Sequence, residues 1–303
     1  MALGIVEDVV THQPGPTAGP AAGPHDANDL APARARRRRR VDWPLLLSGL
    51  PLLLILGFAF FPGVFTSQDP LNGIATQVMQ GPSGEHWFGT DHLGRDVFAR
   101  VVYGTSQTFL TAGLAVLVGL VVGSALGLAS ATLGRWVDPV IMRLIDVLLA
   151  IPSFLIALII VTASEPGPIS LGIGVGIGSI ATFARLTRTE VMRIRALDYV
   201  EAAHLNGGNA WSVARRHVVP NAAGQILSLL VVDFGVAILA ISSLGFLGFG
   251  APPPTPEWGL IIAEGRQYLG AAWWMTTLPG LVIVLTVVLL GIFGRCVQKQ
   301  LRF

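Results

Sequence analysis

Few residues in this chain could do chemistry, and their spacing excludes more than it offers. The only lysine, Lys299, sits in Gln298-Lys299-Gln300, so no G-x-x-x-x-G-K-[ST] phosphate loop exists in the sequence. The single cysteine, Cys296, rules out an internal disulfide and a cysteine-based zinc site. His12, His25, His86, His92, His204 and His217 form no H-E-x-x-H pair, which argues against a zincin-type protease. His204 and His217 read as surface or packing residues. No Ser, His and acid constellation converges, so no catalytic, cofactor-binding or metal-ligating residue is expected.

What remains is charge in apolar surroundings. Arg143 and Asp146 lie three apart, close enough to pair on one helix face, and Arg143 can snorkel toward an interface, so the pair reads as structural. Asp233 has no basic residue within one helical turn. A lone intramembrane acid faces either a cavity, where it would line a translocation pathway, or a hydrogen-bonding neighbour on another helix or subunit.

The elements that must position these charges are membrane helices. The chain is 52% hydrophobic and only 13% charged, against roughly 25% charged in a soluble domain. Its 36 glycines suit helices that approach closely in lipid. Six weakly charged runs are long enough to cross a bilayer: Trp43 to Phe61, Thr108 to Leu133, Val140 to Ala163, Pro168 to Ala184, Ala222 to about Leu244, and Trp274 to Arg295. With the N-terminus inside, seventeen of the 20 basic residues fall on the cytoplasmic face, leaving only Arg95, Arg100 and Arg266 outside. That bias predicts six spans with both termini in the cytoplasm.

Residues 1–41 are Pro-, Ala- and Gly-rich and end in the run Arg36 to Arg40. They read as a disordered basic tail giving a topology signal and contact with anionic lipid, rather than as a nucleic-acid site or a cleaved signal peptide. The remaining organisation is a first span over 42–62, an external loop over 63–106, a core of five spans over 107–296 and a short cytoplasmic end over 297–303. The core carries a long cytoplasmic loop at 186–221 and an external loop at 249–273.

The cytoplasmic loop reads LTRTEVMRIRALDYVEAAHLNGGNAWSVARRHVVPN. Apolar Val191, Met192, Ile194 and Leu197 among charges predict a helix running out of the membrane. Glu201-Ala202-Ala203, the glycine break at Gly207, and a short helix stopped at Pro220 then predict a hairpin of helices parallel to the membrane. This pattern resembles the EAA loop of ABC importer permeases: EAA, three residues, Gly, nine residues, I-x-L-P. His217 and Val219 stand where that pattern has isoleucine and leucine.

Two external strings narrow the resemblance. GTDHLGRDVFARVVYG, from Gly89 to Gly104, looks like the GTD-x-x-GRD signature of dipeptide, oligopeptide and nickel importer permeases, carried by Gly89, Thr90, Asp91, Gly94, Arg95 and Asp96. Val97, Phe98, Val101 and Val102 share a face there, with Asp96 and Arg100 paired at i, i+4 opposite, which predicts an interfacial helix. Ser106-Gln107-Thr108 stands where the family has R-x-S. The strings LGFLGFG, PPTPEWG (with Pro256, Glu257, Trp258 and Gly259) and AEGR are similar to the second permease subunit of peptide importers. Pro252 to Pro254 and Pro256 predict an extended path, and Trp273-Trp274 an aromatic belt. Gly294-Arg295-Cys296-Val297-Gln298 replaces the family's G-D-x-L-R-D.

The resemblance covers about residues 43 to 296. It implies an all-α integral membrane fold of the type I ABC importer class and a permease subunit in a bacterial cytoplasmic membrane. It also implies a homologous first permease as heterodimer partner, two cytoplasmic ATPase subunits or one fused pair, and an external substrate-binding protein. ATP and Mg would be bound by the ATPase subunits, with no cofactor in this chain. In the family the segment corresponding to Glu201 to Val213 seats in a groove of the ATPase, and the coupling loop here would comprise Glu201, Ala202, Ala203, Gly207, Trp211, Arg216 and Pro220. Peptides are the implied cargo, with nickel chelates or haem as alternatives. An ion-coupled secondary transporter using Asp233 and Asp146 is a distant rival, and no inverted repeat supports it.

Overall fold

The computed structural model describes residues 43–134 and 136–301, so the tail expected to be disordered lies outside the described residues. Regular structure among the described residues is helical apart from one isolated bridge between Thr90 and Asp96. The main helices are α1 (Trp43–Phe60), α2 (Val97–Thr132), α3 (Val137–Ala150), α4 (Ser153–Ala163), α5 (Pro168–Arg195), α6 (Asp198–Leu205), α7 (Ala210–Val213), α8 (Val219–Phe246), α9 (Trp258–Gly265) and α10 (Trp274–Leu301). Five of them, α1, α2, α5, α8 and α10, are long and apolar enough to cross a bilayer singly.

The expected third span is present as two helices, α3 and α4, that meet at an 84° bend. Pro152 is the reason, because it offers no N–H to the turn before it and drives Ile151 to an extended ψ of 126°. Nor is there a separate interfacial helix after the GRD string. Val97 to Thr132 is one helix of 36 residues, about 54 Å long at 1.5 Å per residue.

Small residues set how closely the spans approach. Gly119, Gly123 and Gly127 recur at four-residue spacing on α2 and face α5; a methyl on Gly123 would sit 2.7 Å from Phe183 Cβ. Across the same seam, Gly176 of α5 lies against Ala115 and Val118 of α2. The opposite face of α5 does the same toward α4, where Gly178 abuts Ser153. Lipid provides no hydrophobic drive between helices, so this contact of backbone on backbone is what holds them. By contrast α1 buries only Ser48 and Ile55 and turns Leu46, Leu47, Leu50 and Leu53 outward. Exposing each in water would cost about 1.5–3 kcal/mol, a cost that lipid removes.

Candidate functional site

Three parts of the molecule carry the polar residues: a hairpin between α5 and α8, a cap that joins the opposite ends of α2, α8 and α10, and one acid midway between them.

The hairpin is continuous with the spans. Arg195, in the last turn of α5, donates to the Ala131 carbonyl at the end of α2, and Arg188 holds both oxygens of Asp138 on α3 at 2.6 Å. Ser130 donates to the same carboxylate. The chain then forms α6, whose first turn carries Asp198 and Glu201 where the helix dipole favours acids. Gly207 follows with φ +85°, and a methyl there would meet nothing within 4 Å, so glycine serves backbone conformation at this point and not space. Asn209 accepts from Ser212 N–H at 2.7 Å to start α7. A π-helical turn, Ala214–Val218, leads straight into α8. Pro220 therefore begins the next span, where its missing N–H is harmless, and does not stop a helix.

Underneath, Val200, Val213 and Val218 pack with Val191, Ile194, Ala131 and Ala222 in one buried cluster. Of the expected coupling residues, Glu201 and Ala202 are exposed on α6, Ala203 is half-buried against that cluster, and Arg216 and Pro220 are exposed further along. The Trp211 side chain lies outside the described residues. Sequence reasoning passed over Leu205, which is 83% exposed beside them. Its signal was available, as an apolar residue four beyond Glu201 on the face that carries no valine.

The cap contains the GTD-x-x-GRD residues. Arg95 Nε meets Asp91 Oδ2 at 2.6 Å and its Nη2 meets Glu264 of α9 at 3.0 Å. Arg100 is 1% exposed and bonds both acids, Asp91 at 2.9 Å and Glu264 closer still. The expected Asp96–Arg100 pair does not form. Asp96 instead caps α2 by accepting from Ala99 N–H and meets His86 Nδ1 at 2.8 Å, because free amides at a helix start compete well for a carboxylate. Burial raises the Asp91 carboxyl, but the amides of Arg95 and Leu93 and the guanidinium groups of Arg95 and Arg100 outweigh it and leave it below its usual range. Gly89 and Gly94 take positive φ of 69° and 75° so that this loop can fold back on itself.

The second external string completes the cap. Glu257 starts α9 by accepting from the amides of Gly259 at 2.9 Å and Leu260 at 3.1 Å. Burial pushes its carboxyl up to about 7, against the pull of those two amides. Trp258 is fully buried, with Nε1 on the Val101 carbonyl at 3.0 Å, and Gly259 lets α9 rest on the Ser242 carbonyl of α8. Trp274 reaches the Thr90 carbonyl at 3.1 Å, so of the expected aromatic pair only Trp273 is turned outward. The proline run is not extended throughout, because Thr255 N–H closes a turn onto Pro252.

The intramembrane charges separate. Asp146 pairs with Arg185 of α5 at 2.6 Å and not with Arg143, since the neighbouring helix offers a guanidinium within direct reach. Both partners are about half exposed, so the pair adds little stability. Asp233 is 7% exposed, midway along the 28-residue α8, and its Oδ2 has no partner among the described residues. No group of three or more metal-ligating residues occurs among the described residues.

Comparison with known proteins agrees on one family. Residues 116–302 match the family described as "Binding-protein-dependent transport system inner membrane component". The chain is 36% identical over 253 residues to a dipeptide transport system permease protein of Alkalihalophilus pseudofirmus, covering 82% of this chain and 83% of that one. It is also 36% identical over 255 residues to a glutathione transport system permease protein of Pectobacterium atrosepticum, covering 84% and 85%. In fold it is similar to the MetNI methionine ABC transporter in its inward facing conformation, with TM-score 0.56 at 16% identity over 68% of this chain and 98% of that one.

Proposed function

We propose a function from one premise: the chain belongs to the family of binding-protein-dependent transport system inner membrane components. It is a multi-pass permease subunit of an ATP-binding cassette importer. Its cargo is a peptide, as the names of its dipeptide and glutathione relatives suggest. The chain has no phosphate loop of its own, so energy comes from partner ATPase subunits that bind ATP and Mg. A homologous permease completes the translocation pathway and an external binding protein delivers cargo. The arginine-rich end, with both termini, faces the cytoplasm.

The observation that carries this reading is how the hairpin is mounted. An outward face of Glu201, Ala202 and Leu205 is backed by the buried valines and tied to α2 and α3 through Arg195 and Arg188. A push from a docked ATPase on α6 therefore moves those spans as one body, because packed side chains transmit displacement without compressing. Alternating exposure of the translocation pathway to the two faces follows, and no bond in the cargo is broken. Replacing Leu205 with Asp tests this in the complete importer reconstituted in vesicles. Peptide uptake should fall by about tenfold or more as an apolar anchor is lost, with ATPase subunits retained poorly on purification. Unchanged uptake and retention would refute a docking role for α6.

A further inference from the structure

Asp233 borders a cavity of about 120 Å³ whose lining includes Ser153, Ala157, Gly178, Ser179, Thr182 and Val236. Three hydroxyls thus share this lining with one carboxylate, and Ser179 already hydrogen-bonds it, in a part of the molecule that is otherwise apolar. Spanning-helix hydroxyls usually donate back to a carbonyl one turn earlier, as Thr162, Thr189, Ser228 and Thr286 do here. The Ser153 and Thr182 hydroxyls are not engaged that way; both residues are exposed at the mouth of the cavity. Lipid does not accept an exposed hydroxyl pair above an acid, so the mouth faces an aqueous passage or the partner permease.

The bend between α3 and α4 lies against the same cavity, since Ser153 and Phe154 open α4 immediately after Pro152. Broken backbone at membrane depth persists where it lines a cavity. The nearest guanidinium along α5, Arg185, is already committed to Asp146. An unpartnered carboxylate oxygen, hydroxyl acceptors and room for a small group make a site for a cation that donates several hydrogen bonds.

We propose that this cavity is a subsite for the protonated amino group of the cargo, held by Asp233 with the hydroxyls of Ser153, Ser179 and Thr182 as it passes. The assignment rests on the peptide-import reading, because peptides present an amino terminus that is mostly protonated near neutral pH. The ammonium donates to the Asp233 Oδ2 that lacks a partner and to hydroxyl oxygens, beside the buried apolar wall of Ala157.

The test uses the complete importer in vesicles, with Cys296→Ser to remove the native thiol and Thr182→Cys as a reporter. Labelling rates are compared for a cationic aminoethyl and an anionic sulfonatoethyl methanethiosulfonate. The cation should react at least about tenfold faster, a ratio that Asp233→Asn abolishes and that a transported dipeptide protects. In the Thr182 background, Asp233→Asn should cut maximal dipeptide uptake by about tenfold or more, with KM and copurification of partners unchanged and with partial rescue by Asp233→Glu. A ratio indifferent to Asp233→Asn overturns the proposal. So does protection by sodium or potassium but not by dipeptide, which would mark an inorganic cation site. Lost copurification in Asp233→Asn also overturns it and assigns the acid to assembly. If the importer carries no peptide at all, the function reading fails, while the labelling ratio still decides whether the cavity selects cations.

Discussion

Arg100, Trp258 and Glu257 at one end of the bundle are 2% exposed or less, whereas Leu205 at the other end leaves 83% of its surface free. The cap crosses its charges between segments distant in sequence: Arg100 bonds both Asp91 and Glu264, and two tryptophans donate to backbone carbonyls. The hairpin has two arginine ties, one valine-rich cluster and a single φ-positive glycine, and it leaves Leu205 uncovered beside Glu201 and Ala202. One end is closed by contacts within this chain, and the other leaves the face where the proposed function seats an ATPase subunit. The proposed coupling would use that asymmetry, since a firm cap would let force applied at the hairpin tilt spans without unravelling them.

Breaking the cap should give the largest effect. Arg100→Ala leaves the Asp91 and Glu264 carboxylates to share Arg95, one guanidinium for two acids, and losing one partner of a buried ionic cluster costs up to about 3–5 kcal/mol. Thermal unfolding of the purified complex should show it, and a variant as stable as the wild type would mean the cap is not what holds α2 to α9. At the hairpin, Gly207→Ala has room for its methyl but must hold φ near +85°, a cost of about 1–2 kcal/mol. Its signature should be local: faster amide hydrogen exchange across α6 and α7 with the spans unchanged. Exchange rising equally in α2 would erase the distinction between the two ends.

Much of this organisation is legible in the sequence because membranes impose it locally. Runs of apolar residues set five of the spans, and the glycine break at Gly207 after Glu201 marks the hairpin, although Pro220 opens α8 where a stop is expected. Pro152 was readable too, as a residue that ends a helix at the position before it, yet the apolar run across it suggested an unbroken span. Contacts between distant segments were not readable. Glu264 lies 164 residues from Arg100, and no spacing rule joins them. The expected partners of Asp96 and Asp146 were wrong for a related reason, since helix spacing names neighbours on one helix but not the free amide or the guanidinium on another element.

The smallest effect concerns the cap's pH response. With Glu257 raised from about 4.5 to about 7 by burial, its contribution to stability is fully present below pH 4.5 and is lost as pH rises through 7. Glu257→Gln keeps an acceptor for the Gly259 and Leu260 amides and removes the titration. Melting temperatures between pH 5 and pH 8 should then fall less steeply than in the wild type. An unchanged slope would place the titrating group elsewhere.

The most direct measurement of the hairpin's role is site-specific crosslinking from Leu205. Leu205→Cys in a Cys296→Ser background, coupled to a short thiol-reactive photocrosslinker in the assembled importer, should capture an ATPase subunit, with a yield that changes when ATP is added. Capture of lipid alone, or of no subunit at all, would contradict the proposal that this face is where the chain receives its energy.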